Sequence, residues 1–444
     1  MFVPVGAVGG VEVPIVQVVD VVSVRHLLVT ASGSVLVGVL GVFDATPGLA
    51  FVPVVAVLMM EVPVVDVVDV VAVFDGHVAA VGTVHMGMRM IGDAIDGGTG
   101  HASIVSRRKV RSGSDPTSGR VRVWNVGMEL DRLVDRVLDA SVVGGYSRLG
   151  YAVRARTFES IPNGALAGQT VVVTGPTSGL GLATSVGLRR LGASLVLIGR
   201  DAGRLSSTTR MLQARIPEGG PIEELVADMG DLETVARAAA AVRDSGRTVR
   251  AVVHNAGALD AERGTSPQGF ERTVATHVLG PHLFTLITLP VVERVVTVSS
   301  GGMYAASLPG PAADGSPEMP PGSWDGTRQY ALAKRAQVTL NEMWSRREAS
   351  TVFAAMHPGW ADTPGVRSSI PVFARLTGPI LRTAEQGADT VVWLAAADRV
   401  PTGRFWCDRS PRPIHRLPAT RRSDTPEARS ALWEWCDRAV RPYR

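Results

Sequence analysis

The segment Val171-Val172-Val173-Thr174-Gly175-Pro176-Thr177-Ser178-Gly179-Leu180-Gly181 reads as a buried strand that runs into a glycine-rich turn and opens a helix. No other stretch constrains the fold as strongly. Gly175 lets the chain turn sharply, Gly179 lets backbone N–H groups approach a phosphate, and Gly181 lets the helix pack closely on the strand. Thr177, Ser178 and Leu180 fall in the same turn, so the candidate site is a helix N-terminus aimed at an anion. With 48 glycines among 444 residues, the spacing alone carries little weight, and its context has to decide.

Apolar residues make up 45% of the chain and charged residues only 19%, enough for a large core. The formal charge of +4 is spread over scattered arginines, with no basic face interleaved with aromatics, which argues against nucleic acid as a partner. Cys407 and Cys436 are the only cysteines. They form neither a disulfide framework nor a metal-ligand pattern, so no metal is implied and a reducing cytoplasm is the expected location. Only Lys109 and Lys334 are lysines among the 45 basic residues. A lysine that persists against so strong a preference for arginine marks a position where a compact ammonium is wanted.

Residues 1–90 contain 31 valines in runs without a lasting helical or strand period, and residues 91–127 are rich in Gly, Ser and Arg. We expect 1–127 to be a low-complexity, disordered or spurious extension, most of it upstream sequence read as protein, with the biological start near Met128. The alternatives are a genuine disordered extension and a membrane-associated segment. The uncharged stretch Ala45 to Met60 is short of a membrane span and broken by Pro47 and Pro53, and a membrane is not expected as a partner. From Met128 onward Leu130, Leu133, Val134, Val137 and Leu138 fall at helical spacing, which predicts an amphipathic helix within an N-terminal helical segment over 128–165.

Strands are predicted near Thr170–Thr174, Ser194–Ile198, Ile222–Ala227, Val249–His254, Arg294–Ser299 and Thr351–Met356, with amphipathic helices between them. This alternation predicts an α/β fold, a single doubly wound parallel sheet covered by helices on both faces. The capping box Thr383-Ala384-Glu385-Gln386 predicts a late helix to about Ala397. A short strand at Gly403–Cys407 and a C-terminal helix from about Thr425, within a tail over 416–444, complete the prediction.

Tyr330 and Lys334 lie four residues apart in a helical run, on one face, where both can act on one substrate atom. A nearby cation favours phenolate, so Lys334 is expected to lower the Tyr330 pKa and permit proton exchange near neutrality. Ser300 follows a predicted strand, at the edge of a doubly wound sheet where ligands bind, and can bond the same oxygen.

The order Thr174-Gly175 to Gly181, Asn255-Ala256-Gly257, Ser300 and Tyr330 to Lys334 closely resembles the short-chain dehydrogenase/reductases, over about residues 165–415. Ser299 to Met303, Met356 to Val366, Glu385 to Thr390 and Gly403 to Phe405 are similar to a subgroup near the retinol-dehydrogenase-like enzymes, which also carries a helix-bearing segment ahead of its glycine turn. The resemblance implies a Rossmann-type NAD(P)-binding reductase domain over 166–415. It also implies hydride transfer between a nicotinamide and a carbonyl or alcohol substrate that is small and hydrophobic. Tyr330 is then the acid/base, Lys334 binds the nicotinamide ribose, and Ser300 orients the substrate oxygen. Further implied cofactor contacts are Asp228 and Met229 near adenine, Asn255, Ala256 and Gly257, and Pro358, Gly359 and Thr363 near the carboxamide.

The family's Asn, which helps hold a proton-relay water, falls at His277, and a catalytically weak or inactive NADP-binding protein is the alternative this departure raises. Relatives assemble through the Tyr/Lys helix, so a homo-oligomer is an expectation. Leu197-Ile198-Gly199-Arg200-Asp201 lacks the acid that would hold the ribose hydroxyls of NAD, while Arg200 can pair with a 2′-phosphate. The expected cofactor is therefore NADP rather than NAD, with Asp201 a helix cap. The proline-rich interval between Ser300 and Tyr330 is expected to be a surface loop on the substrate side, with Trp324, Trp360 and Phe373 as candidate apolar walls.

Overall fold

The computed structural model describes residues 72–74, 77–79, 134–257, 259–310, 314–363 and 377–444. The chain divides into two units, Met1–Ser118 and Gly119–Arg444. In the first, two short strands, Ala72–Phe74 and His77–Ala79, pair antiparallel. The expectations of disorder over 1–127 and of a start at Met128 otherwise lie outside the described residues.

In the second unit residues 134–140 are helical, followed by α1 (Val142–Tyr146) and α2 (Arg148–Ala155). Ser141 and Ser147 cap these two helices, their hydroxyls accepting from the N–H groups of Gly144 and Gly150. The sheet strands are β1 (Thr170–Thr174), β2 (Ser194–Gly199), β3 (Ile222–Val226), β4 (Val249–His254), β5 (Arg294–Val298), β6 (Val352–Met356), β7 (Arg404–Cys407) and β8 (Ser410–Arg412). They lie in the order β8-β7-β6-β5-β4-β1-β2-β3. All pairs are parallel except β7–β8. This is the doubly wound Rossmann-type sheet that the alternating pattern predicts, with one added antiparallel edge strand.

The helices are α3 (Gly179–Arg190), α4 (Ala202–Arg215), α5 (Leu232–Asp244), α6 (Gly280–Thr288), α7 (Gly326–Arg347), α8 (Ala384–Ala396), α9 (Pro418–Ser423) and α10 (Pro426–Val440). Successive side chains of a strand point to opposite faces, and here both faces are covered. Val172 joins Val196, Val252, Phe284 and Ala336 in one core, while Val171 and Val173 join Leu197, Val253, Val186 and Val391 in the other. That two-sided burial is why β1 reads as an unbroken apolar run rather than an alternating one. Helix α10 places Leu432, Cys436 and Val440 in the first core, so the C-terminal tail is part of the packed domain. Both halves of the predicted capping box form: Gln386 N–H donates to Thr383 Oγ1 at 3.2 Å and Thr383 N–H to Gln386 Oε1 at 3.1 Å.

Two features were not foreseen. Asp408 and Arg409 form a two-residue β7–β8 turn, and both have positive φ, 51° and 55°. Such a turn matches the twist of a hairpin but usually recruits Asn-Gly or Asp-Gly. Here Arg409 is held there by Asp389, at 2.6 Å and 2.8 Å, and by the Glu159 carbonyl at 2.7 Å. The second feature is a π-helical turn, Ala275–Leu279, immediately before α6.

Between Ser300 and Tyr330 the described residues, which leave out 311–313, form a loop pinned by short turns. Gly301–Ala305 and Pro321–Ser323 form 3-10 turns, and buried Gln329 donates to the Pro317 carbonyl at 2.9 Å and accepts from Met319 N–H at 2.7 Å.

Candidate active site

Because β1, β4, β5 and β6 run parallel, the residues that follow them share one edge: Gly175 after β1, Asn255 after β4, Ser300 after β5 and Pro358 after β6. The strand order reverses between β1 and β4, the position where open α/β sheets bind ligands.

The glycine turn is built for close approach. Gly175 and Gly179 have φ of +65° and +52°, and a Cβ on Gly175 would lie 2.9 Å from the Ala256 Cα. A Cβ on Gly181 would strike the Gly175 carbonyl and Asn255 Nδ2. Asn255 braces this turn, its amide donating to the carbonyls of Thr174 at 3.0 Å and Gly175 at 3.1 Å. Thr174 Oγ1 accepts from Asn255 N–H and Ala256 N–H, each at 3.0 Å. Ser178 is the N-cap of α3, but its hydroxyl makes no capping bond, so it does not close off the first-turn N–H groups. These residues fit a dinucleotide pyrophosphate: the turn has room for backbone and phosphate only. Thr177 and Leu180 lie in the same turn, Leu180 packing on the second core.

At the next two strand ends, Arg200 is exposed and Asp201 caps α4, accepting from Arg204 N–H at 2.9 Å, as expected. Asp228 Oδ1 accepts from Gly230 N–H at 2.8 Å, and Met229 is buried. Gly359, with φ of +69°, donates its N–H to His357 Nδ1 at 3.2 Å. Thr363 is the last described residue of that loop, and Pro364 to Val366 and Phe373 lie outside the described residues.

Ser300 caps the 3-10 turn, its Oγ accepting from Gly302 N–H at 3.2 Å. Ser299 Oγ donates to the Lys334 carbonyl at 3.0 Å, which ties α7 to the end of β5. Lys334 is 3% exposed. Its Nζ donates to the Val298 carbonyl at 2.8 Å and lies 5.3 Å from the centre of the Tyr330 ring.

The expected lowering of the Tyr330 pKa is not met. Burial pushes the phenol up to about 12, only partly opposed by a hydrogen bond with Ser300. Burial also pulls Lys334 down to about 7. The ammonium is itself desolvated and spends a proton on Val298, so it stabilises the phenolate less than the sequence suggested.

His277 sits on the π-helical turn, 1% exposed, with its ring edge-on to Tyr330 at 5.4 Å between centroids. A Cβ on Gly257 would strike that ring. The His277 carbonyl accepts from Gln337 Nε2 at 2.7 Å. Local π-helical turns recur at functional sites because they re-aim a few groups without ending the helix.

On the opposite side, the N-terminal segment is clamped to the Pro358–Trp360 loop. Trp360 N–H donates to the Tyr146 carbonyl at 2.9 Å. The Tyr146 ring packs against Gly301 and lies 4.4 Å from His357 and 6.2 Å from Trp360, centroid to centroid. Arg382 donates to the carbonyls of Gly145 at 2.8 Å, Ser147 at 3.2 Å and Pro358 at 3.2 Å. It also makes a two-pronged ion pair with Asp408 at 2.6 Å and 2.8 Å, and Asp408 accepts from Arg154 at 2.8 Å. Burial works to raise the Asp408 carboxyl, but the paired guanidiniums of Arg382 and Arg154 outweigh it and hold it below the ordinary carboxylate value. Among the aromatic residues expected near the substrate, Trp360 therefore packs on Tyr146.

Gln337, Arg382 and Asp408 were missed at the sequence level. Gln337 carried a readable signal, since it continues the Tyr330–Lys334 stripe by three residues. The Arg382–Asp408 pair carried none, because its partners come from distant elements.

The family model described as short chain dehydrogenase matches residues 169–308. A Bos taurus protein, dehydrogenase/reductase SDR family member 12, is 35% identical over 312 residues, spanning 67% of this chain and 95% of that protein. The chain belongs to the short-chain dehydrogenase/reductase family. The Homo sapiens protein of the same name is 33% identical over the same shares, so the subgroup resemblance also holds. As part of this family the domain is an NAD(P)-binding oxidoreductase of Rossmann type. Among solved structures, an uncharacterized protein from Mycobacterium paratuberculosis shares the fold, with a TM-score of 0.50 at 24% identity over 64% of this chain and 96% of that one.

Proposed function

We propose that this chain is a cytoplasmic NADP-dependent reductase or dehydrogenase that transfers hydride to or from a small hydrophobic carbonyl or alcohol. The observation that carries this reading is the convergence of Ser300, Tyr330 and buried Lys334 beside the glycine turn. When bound, the nicotinamide supplies or takes the hydride. Ser300 donates to the substrate oxygen and fixes its position. Tyr330 keeps its proton across the neutral range because burial holds its pKa up at about 12, so it serves as the acid in reduction; in oxidation the phenol has to release its own proton to solvent before it can take the proton of the alcohol. Lys334 steadies charge on the phenol from one helical turn below, most strongly when protonated.

NADP is favoured because Arg200, exposed at the end of β2, is followed by an aspartate already committed to capping. That leaves a cation for a 2′-phosphate and no free acid for a ribose diol.

The purified full chain is to be screened for NADPH oxidation against ketones, aldehydes and quinones. Tyr330→Phe should lower turnover by about 100-fold or more, and wild-type turnover in that variant would overturn the mechanism. NADPH binding without turnover on any class would overturn the activity. Arg200→Ala should weaken NADPH about tenfold while leaving NADH nearly unchanged, and tighter binding of NADH than NADPH by the unaltered chain would overturn the cofactor choice.

A further inference from the structure

The helix that carries Tyr330 and Lys334 continues with Gln337 and Asn341, spaced by three or four residues, so four polar side chains follow one stripe of α7. Lys334, Gln337 and Asn341 are each no more than 4% exposed. Beside Gln337 and Asn341 lies a cavity of about 30 Å³, lined also by His254, His277, His282 and Thr285.

Among the described residues, six polar atoms here have no protein partner: both amide atoms of Asn341, Gln337 Oε1, both ring nitrogens of His282, and His254 Nδ1. His254 spends its Nε2 on Thr285 Oγ1 at 3.0 Å, and Gln337 spends its Nε2 on the His277 carbonyl. Buried polar groups are almost always bonded, to protein or to ordered water, and a cavity of this size, walled by Val295, Leu340 and Phe353 as well as by these polar groups, admits about two water molecules. An apolar stripe would pack this face of a core helix without any such need. Burial holds both His254 and His282 down to about 3, so these two imidazoles are neutral and offer donors and acceptors rather than charge.

We propose that this cavity is a built water site, in which Asn341 and His282 hold ordered water that fixes Gln337 and His277 beneath the Tyr330–Lys334 pair. It rests on the reading of that pair as catalytic, and it makes Asn341 and His282 positioning residues. The titratable groups around the site are His254 from β4, His277 from the π-helical turn, His282 from α6, and Tyr330 and Lys334 from α7. Asp437, Arg347 and Arg444 act on His282 from outside. Lys334 does not itself line the chamber but lies one helical turn from Gln337, which does; on this proposal, loss of the chamber water leaves the lysine in drier surroundings and lowers the pH at which it gives up its proton.

The chain offers a direct probe, because Lys109 and Lys334 are its only lysines. Labelling with 13C-lysine gives two side-chain signals, and Lys334→Met assigns them. A high-resolution crystal structure of the full chain should show water bonded to Asn341 and His282. Asn341→Leu should expel it and lower the Lys334 titration midpoint by about half a pH unit or more, with NADPH affinity changed by less than about twofold. His282→Phe should act in the same direction and serves if Asn341→Leu does not fold. A dry chamber in the unaltered protein, or an unmoved Lys334 midpoint in a folded variant, overturns the proposal. Undiminished turnover in Tyr330→Phe would instead overturn the catalytic reading, while the water and the lysine signal would still decide the chamber.

Discussion

Two buried polar regions flank the active site, and they solve the same problem in opposite ways. In the clamp, every nitrogen of the Arg382 guanidinium has an acceptor, and Asp408 answers both Arg382 and Arg154. In the chamber, neutral amides and imidazoles leave six atoms to be met by something other than protein. An ionised group taken out of water must be paired in place or it is not tolerated, whereas a neutral one can share a water. The clamp therefore fixes one geometry of the Pro358–Trp360 loop. The chamber leaves room for small rearrangements beneath the helix that carries Tyr330.

Substitutions should separate the two. Asp408→Ala takes the ionic partner from buried Arg382 and leaves Arg154 only Asp135, and unfolding in urea should show a loss of about 3–5 kcal/mol; a loss below about 1 kcal/mol would erase the contrast. Acid comes next. His282 titrates near 6.5 in the unfolded chain but only at about 3 in the folded one, so the unfolded state binds the extra proton in between and stability falls as pH drops from 6.5 toward 3. His282→Phe should remove about 2 kcal/mol of the loss between pH 6.5 and 5, measured as the slope of stability against pH. The smallest effect is expected at Asn341→Leu. There an apolar side chain replaces one whose polar atoms lack protein partners, and stability should stay within about 1 kcal/mol of the unaltered chain. A large loss would mean that Asn341 bonds protein more firmly than the geometry shows.

Much of the fold was legible because its signals are local. The apolar run Val171 to Val173, the glycine turn and the Thr383 capping box each specify their own element, and their order specifies the sheet. The Tyr330–Lys334 pair was legible for the same reason. The pKa of Tyr330 was not, because proximity to a cation can be read from spacing while the burial of that cation cannot. Gln337 and Asn341 drew no notice in the sequence, because what sets them apart is their burial beside residues of α6 and β4. Strand β8 escaped because Asp408-Arg409 lacks the glycine that usually announces so tight a turn, and its backbone is held by side-chain partners recruited from α8 and from the segment before β1.

The clamp also bears on when the molecule can become complete. Arg154 and Asp408 are separated by 254 positions, and the β7–β8 hairpin that supplies Asp408 is among the last elements to be synthesised. Loop closure over such a distance is costly until the intervening sheet exists. The segment from Ser141 to Ala155 therefore leaves the ribosome early and docks late, so a nascent chain has its glycine turn well before it has the loop that Arg382 secures.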